Sequence, residues 1–317
     1  LHLAKRLIKL AKKSGADVVK LQTYTPDTMT IKSKRKNFVI KNGLWKGKNL
    51  WALYNKSQTP FEWQKTLFSH AKKIRIVCFS TPFDETAVDL LEKLRCPFYK
   101  ISSFEMNDLP LIKKVAKTKK PLIISTGTSS LNEITKAYNA AKNYGVRKII
   151  LLYCVSNYPA KIEDFNLNNI RILKEKFKCP VGLSDHSKDS NVMISALSIG
   201  AMIFEKHIAL ENQKKGFDIE FSLKGKEIKE FKNMMDKTWN LIGPKKFIRK
   251  KTENSGKFFR RSIYVVKDIK KGEYFTKYNI RRIRPGDGLE PSYYEKVLGK
   301  KSKKFLKRGE PFKKSFY

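Results

Sequence analysis

The stretch "VGLSDHS" (Val181–Ser187) begins as a buried strand does and then turns polar at Ser184, Asp185 and His186. The next apolar run, "AMIFEKHIAL" (201–210), repeats the pattern and carries Glu205, Lys206 and His207. Near-continuous apolar runs fit strands covered on both faces, as in a parallel sheet. Five earlier runs are of the same kind: "ADVVKLQTY" (16–24), "IRIVCFSTP" (74–82), "CPFYKISS" (96–103), "KPLIISTG" (120–127) and "KIILLYCVS" (148–156). Helical patterns lie between most of them, such as "ETAVDLLEKLR" (85–95), "LNEITKAYNAAKNYG" (131–145) and "NVMISALSIG" (191–200).

Repeated strand–helix units imply a parallel sheet, and about eight of them imply a closed barrel. The runs number seven, and the chain opens on Leu1 inside an amphipathic helix, "LHLAKRLIKLAKKSG". The expected fold class is therefore α/β: a (β/α)8 TIM barrel lacking its first strand. An open doubly wound sheet is the alternative, because it tolerates seven strands. The barrel is expected over residues 1–243. A charged linker with Pro and Gly follows at 244–258, and a small β-rich domain with turn glycines at 259–317.

Composition sets limits on function. No apolar run approaches the roughly 20 residues that span a bilayer, so no membrane partner is expected. Cys78, Cys96, Cys154 and Cys179 form no CxxC pair, which suggests buried reduced thiols in a cytoplasmic protein. The formal charge of +39 admits a nucleic-acid-binding protein. Yet the cations are mostly lysines spread along helix faces such as "IKKVAKTKK", which fits a solvated surface that attracts anionic substrates. Nucleic-acid binding remains the non-enzyme alternative, and it leaves the strand-end residues without a role.

Active residues sit at the C-terminal ends of barrel strands. Here those ends carry Lys20, Thr81, Lys100 with Ser103, Ser125, Ser156 with Tyr158, Ser184 with His186, and His207. Histidines at the same end of adjacent strands can converge, and two neutral imidazoles leave coordination positions open. That suits a divalent ion such as Mn2+, with Mg2+ or Co2+ as alternatives. Lys20 and Lys100 lie in apolar runs, where an ammonium is costly unless an anion meets it. Ser103, Ser125 and Ser184 could donate to phosphate oxygens. Together these point to a phosphorylated small molecule meeting a carbonyl compound.

The ordered motifs "GADVVKLQTYTPDTMT", "FSTPFD", "YKISSFE", "IISTGT", "YCVSNYPA", "GLSDHS", "FEKHIAL", "GFDIEFS" and "RPGDGLEP" resemble the sialic acid (nonulosonate) synthase family, with its C-terminal antifreeze-like (SAF) domain. "GLWKGKNLWALYNKSQTPFEW" (43–63) and "RRSIYVVKDIKKGEYFT" look most like the pseudaminic acid synthase branch, while neuraminate and legionaminate synthases differ in the sugar pocket. The resemblance implies condensation of phosphoenolpyruvate with an N-acetylated amino sugar. It implies that His186 and His207 bind the metal. Lys20, Thr81, Lys100, Ser103, Ser125, Ser156 and Ser184 would hold phosphoenolpyruvate, and Glu105, Tyr158 and Asp218 would face the sugar or assist proton transfer. Arg284 would reach the substrate from the SAF domain of a partner in a domain-swapped homodimer. The family's first-strand glutamate and "NHN" segment would lie upstream of Leu1, so the chain as given is expected to be inactive or impaired.

Overall fold

Seven parallel strands form one sheet in which spatial order follows chain order: β1 (Val18–Thr23), β2 (Val77–Pro82), β3 (Tyr99–Ile101), β4 (Leu122–Ser125), β5 (Ile149–Cys154), β6 (Val181–Asp185) and β7 (Phe204–Lys206). This computed structural model describes all 317 residues. A doubly wound sheet reverses its strand order at a switch point. No reversal occurs here, so that alternative is set aside. When each strand adds on the same side through crossovers of one hand, the helices stay on one face and the sheet curls around the other. The result is a curled, barrel-like α/β sheet of seven strands.

The helices form where apolar spacing and capping agree. Ser130 caps the helix Leu131–Asn143 in a reciprocal pair with Glu133. Asp84 caps Glu85–Lys93, and its Oδ1 accepts from the backbone of Thr86 and Ala87. An unmade cap of this kind costs about 1 kcal/mol. Leu91, Ile112, Ala137, Ile170 and Met193 face the sheet from successive helices and pack with Tyr99, Ile101, Leu122, Leu151 and Val181 in the main core.

The register decides which side chains face inward. Lys20 pairs with Phe79, Lys100 with Ile123, Ser125 with Leu152, Cys154 with Ser184, and Ser184 with Glu205. Paired residues share a face and the side-chain period along a strand is two. Lys20, Thr81, Lys100, Ser125, Ser184 and Glu205 therefore lie on one face, while Tyr99, Ile101, Leu151 and Leu183 lie on the helix side.

The seventh apolar run is less regular than its pattern suggests. It stops as a sheet strand at Lys206, and Ile208–Ala209 (β8) pairs instead with Leu223–Lys224 (β9). His207 sits at this break, with its carbonyl accepting from Leu223 N at 2.9 Å.

The compact units are Leu1–Gly243 and Pro244–Tyr317. In the second, the antiparallel pair Ser262–Val265 (β10) and Ile280–Ile283 (β11) carries a core of Ile263, Val265, Ile269, Phe275, Leu306 and Phe312. A helical 3-10 segment, Lys251–Phe259, occupies most of the stretch read as a linker.

Gly182 is the tightest point of β6. A Cβ there would meet the Ile203 carbonyl oxygen at 2.1 Å and Leu152 Cδ2 at 2.8 Å. That same carbonyl accepts from Leu183 N at 2.8 Å, so relief would break the ladder between β6 and β7. Gly182→Ala is expected to destabilise the first unit by about 2–3 kcal/mol, read from urea unfolding midpoints at constant m-value.

Candidate active site

Glu205 lies at the centre of the inward face. Its Oε1 meets Lys20 Nζ at 2.8 Å and Lys100 Nζ at 2.5 Å, and accepts from Ser184 Oγ at 2.9 Å. Burial alone would raise this carboxyl, but the two ammoniums hold it well below the usual carboxylate range. Burial also lowers Lys20 to about 8, against the pull of Glu205. Two cations share one anion here, so the cluster keeps a net positive charge in a water-poor setting. Such a cluster is a ready receptor for a further anion.

Around it the structure leaves hydrogen-bonding capacity unused. Six buried side-chain N or O atoms lack a partner, and Thr81 Oγ1, Ser125 Oγ and Glu105 Oε2 are three of them. Buried polar atoms are nearly always satisfied, and three of these exceptions fall on one rim, where the polar atoms of a ligand could meet them. Ser103 and Ser156 come together on the same rim. Gly127 N donates to Ser103 Oγ at 3.1 Å, and a Cβ at Gly127 would collide with both serine hydroxyls.

The histidines close the other side. The His186 and His207 ring centroids are 5.4 Å apart. His186 Nδ1 lies 3.1 Å from the Val155 carbonyl, which only accepts, so Nδ1 carries the proton and Nε2 is left for a ligand. Burial, with His207 close by, lowers His186 to about 3, keeping the ring neutral as a metal donor must be. His207 Nδ1 lies 3.3 Å from Asp218 Oδ2. Burial would raise Asp218, but the bond from His207, with the positive charge of Lys20 nearby, brings it below the usual value. No group of three or more His, Cys, Asp or Glu forms a closed metal cage. This donor set, two oriented imidazoles with the rest left to water or substrate, fits an open catalytic ion rather than a structural one.

Tyr158 packs on His186 at 4.6 Å and on Phe221 at 5.4 Å between centroids. Glu105 follows Ser103 on a short 3-10 turn, and burial raises its carboxyl to about 7. Lys20, Lys100 and Ser184 thus converge on one atom, and His186, His207, Tyr158 and Asp218 form a second group beside them. Arg284 lies exposed in the second unit, just after β11.

Sequence reading passed over Glu205 as a site residue. Its signal was present: an acid two positions before His207, and so on the same face, in a run otherwise apolar up to that point.

Residues 7–247 match the NeuB family and residues 260–316 the SAF domain. The chain belongs to the NeuB family. It is 44% identical to a pseudaminic acid synthase of Helicobacter pylori, over 98% of this chain and 92% of that protein. It is 41% identical to a pseudaminic acid synthase of Campylobacter jejuni, over 99% and 91%. The crystal structure of an N-acetylneuraminic acid synthetase from Leptospira borgpetersenii, bound to citrate, superimposes with a TM-score of 0.72 at 28% identity, covering 80% of this chain and 84% of that one. The NeuB match spans the whole curled sheet and both groups of site residues.

Two outcomes test this geometry. Glu105 has a folded pKa raised above its unfolded value, so its neutral form adds stability that is full at low pH and lost as pH rises toward 7. From about pH 4.5 to pH 8 the wild type should lose about 2–3 kcal/mol relative to Glu105→Gln, measured by urea unfolding across that range. Glu205→Gln strands the buried Lys100 and the partly buried Lys20 and should cost about 3–5 kcal/mol. Inorganic phosphate should raise the Tm of that variant more than it raises the wild type, because the added anion replaces the lost charge.

Proposed function

We propose that this NeuB-family chain is a pseudaminic acid synthase, a carbon–carbon bond-forming transferase. It would condense phosphoenolpyruvate with 2,4-diacetamido-2,4,6-trideoxy-altrose and release phosphate. The observation that carries the reading is the cationic cluster of Lys20 and Lys100 on Glu205, set beside two oriented histidines. Its support is the similarity to two pseudaminic acid synthases over nearly the full chain.

Lys20 and Lys100 would hold the anionic groups of phosphoenolpyruvate, with Thr81, Ser103, Ser125, Ser156 and Ser184 donating to its oxygens. His186 Nε2 and His207 would hold a divalent ion, with Mn2+ first and Mg2+ or Co2+ as alternatives. When bound, that ion supplies Lewis-acid polarisation of the acceptor carbonyl. C3 of phosphoenolpyruvate then bonds to the acceptor's carbonyl carbon. Water adds at C2, and the C2–O bond to phosphate breaks to give the 2-keto acid. Glu105, raised to about 7, is poised to take the proton of that water near neutral pH. Asp218 orients His207, and Tyr158 flanks the acceptor. In this reading Arg284 reaches the substrate from a partner's SAF domain in a homodimer.

The test is phosphate release from phosphoenolpyruvate with Mn2+, using the full-length protein and either the altrose-configured diacetamido sugar or N-acetylmannosamine. Release with the altrose sugar, falling by about a thousandfold or more in His186→Ala, is the expected result. Release only with N-acetylmannosamine would instead make the chain a neuraminate synthase.

A further inference from the structure

The residues 40–48 form a small hairpin whose tip contacts the site residue Tyr158. Ile40 N donates to Lys48 O at 3.0 Å and Gly47 N to Ile40 O at 2.8 Å, while Val39 bridges Asn49. Gly43 and Gly47, at φ 81° and 82°, supply the left-handed turns around the tip. Asn49 Nδ2 ties the base to Ser33 O at 2.8 Å. The hairpin presents Trp45, whose ring lies 5.6 Å from Tyr158 between centroids. Trp45 Nε1 donates to Phe217 O at 3.3 Å, and Lys48 Nζ stands 5.1 Å from the Phe217 ring. Tyr158 also neighbours Phe104, at 6.4 Å between centroids, which lies between Ser103 and Glu105 in sequence and is 58% exposed.

These contacts divide the site by polarity. Its floor is lysine, carboxylate and hydroxyl, and its mouth is aromatic. An indole has a single donor, and here that donor is already used on Phe217. Trp45 therefore offers a ligand only its apolar surface, and Phe104 has no polar atom to offer. A hydroxyl pressed against this wall would lose water and gain no partner, which costs free energy. A methyl would lose nothing.

We propose that Trp45, held over the mouth by the 40–48 hairpin, determines acceptor specificity by selecting an amino sugar with a methyl rather than a hydroxymethyl group at the end remote from its aldehyde. The inference rests on the proposed function. An acceptor with its aldehyde carbon at the histidines runs outward past Tyr158, and its far carbon meets Trp45 and Phe104.

The experiment compares wild type, Trp45→Phe, Trp45→Ala and a control, Trp239→Phe, whose residue is 58% exposed on the helix Glu227–Ile242. Two quantities are read with the 6-deoxy diacetamido sugar and with N-acetylmannosamine. One is kcat/KM from phosphate release. The other is sugar-dependent quenching of tryptophan fluorescence, which needs no turnover. In Trp45→Ala, kcat/KM for the 6-deoxy sugar should fall about tenfold or more, with KM for phosphoenolpyruvate unchanged and little change for N-acetylmannosamine. Trp45→Phe should keep most of the preference and lose the quenching, while Trp239→Phe keeps both. An unchanged sugar preference in Trp45→Ala, or quenching that survives in Trp45→Phe, would overturn the proposal. A wild type that prefers N-acetylmannosamine would instead overturn the proposed function, a result visible before any variant is made.

Discussion

One carboxylate, Glu205, meets two ammoniums, one buried and one partly buried, and the site is arranged around that imbalance. An isolated buried charge is too costly to keep, and a fully balanced pair would have little affinity left for a ligand. Two lysines on one acid lie between these limits. The cluster tolerates burial because Glu205 holds it, and it remains one positive charge in excess. The unpartnered hydroxyls of Thr81 and Ser125 repeat the same logic in hydrogen bonds. In both cases the fold leaves unmade an interaction that an anionic ligand would complete.

Parallel-sheet geometry makes such a cluster possible. Lys20, Lys100 and Glu205 come from β1, β3 and β7, remote in sequence, and a common face brings them together because register and alternation agree across the sheet. Much of this was legible in the chain. Apolar runs located all seven strands, and their polar ends named the residues of the rim. What stayed hidden depends on pairing between distant segments. The role of Glu205 needs the register of β6 against β7, and the break of the seventh strand at His207 needs the competing partner at Leu223. Neither is a local property. The same holds for Trp45, whose value lies in a bond to Phe217, 172 positions away along the chain.

The two polarities of the site also follow from where each part is built. The floor comes from strand positions whose backbone is held in the ladder of the parallel sheet, so charges there keep the geometry that electrostatic stabilisation requires. The mouth comes from loops: the 40–48 hairpin, the 3-10 turn carrying Phe104, and the segment carrying Tyr158. Loops vary more readily than strands. A family that keeps one reaction while changing its sugar would therefore be expected to hold the floor constant and alter the mouth.

The opposite face of the same two strand ends is braced as well. Asp185 and Lys206, neighbours of Ser184 and Glu205, point to the helix side and pair directly across β6 and β7 at 2.5 Å, with Lys206 also donating to the Ser187 carbonyl. Each strand end is thus tied to the other on both faces, by Ser184 with Glu205 inside and by Asp185 with Lys206 outside. His186 and His207 are the residues that follow the end of each strand. Their spacing is set by two polar cross-strand contacts, at least one of them well buried, rather than by a flexible loop. In the proposed function the two imidazoles would share one ion, and such bracing would fix their separation beforehand.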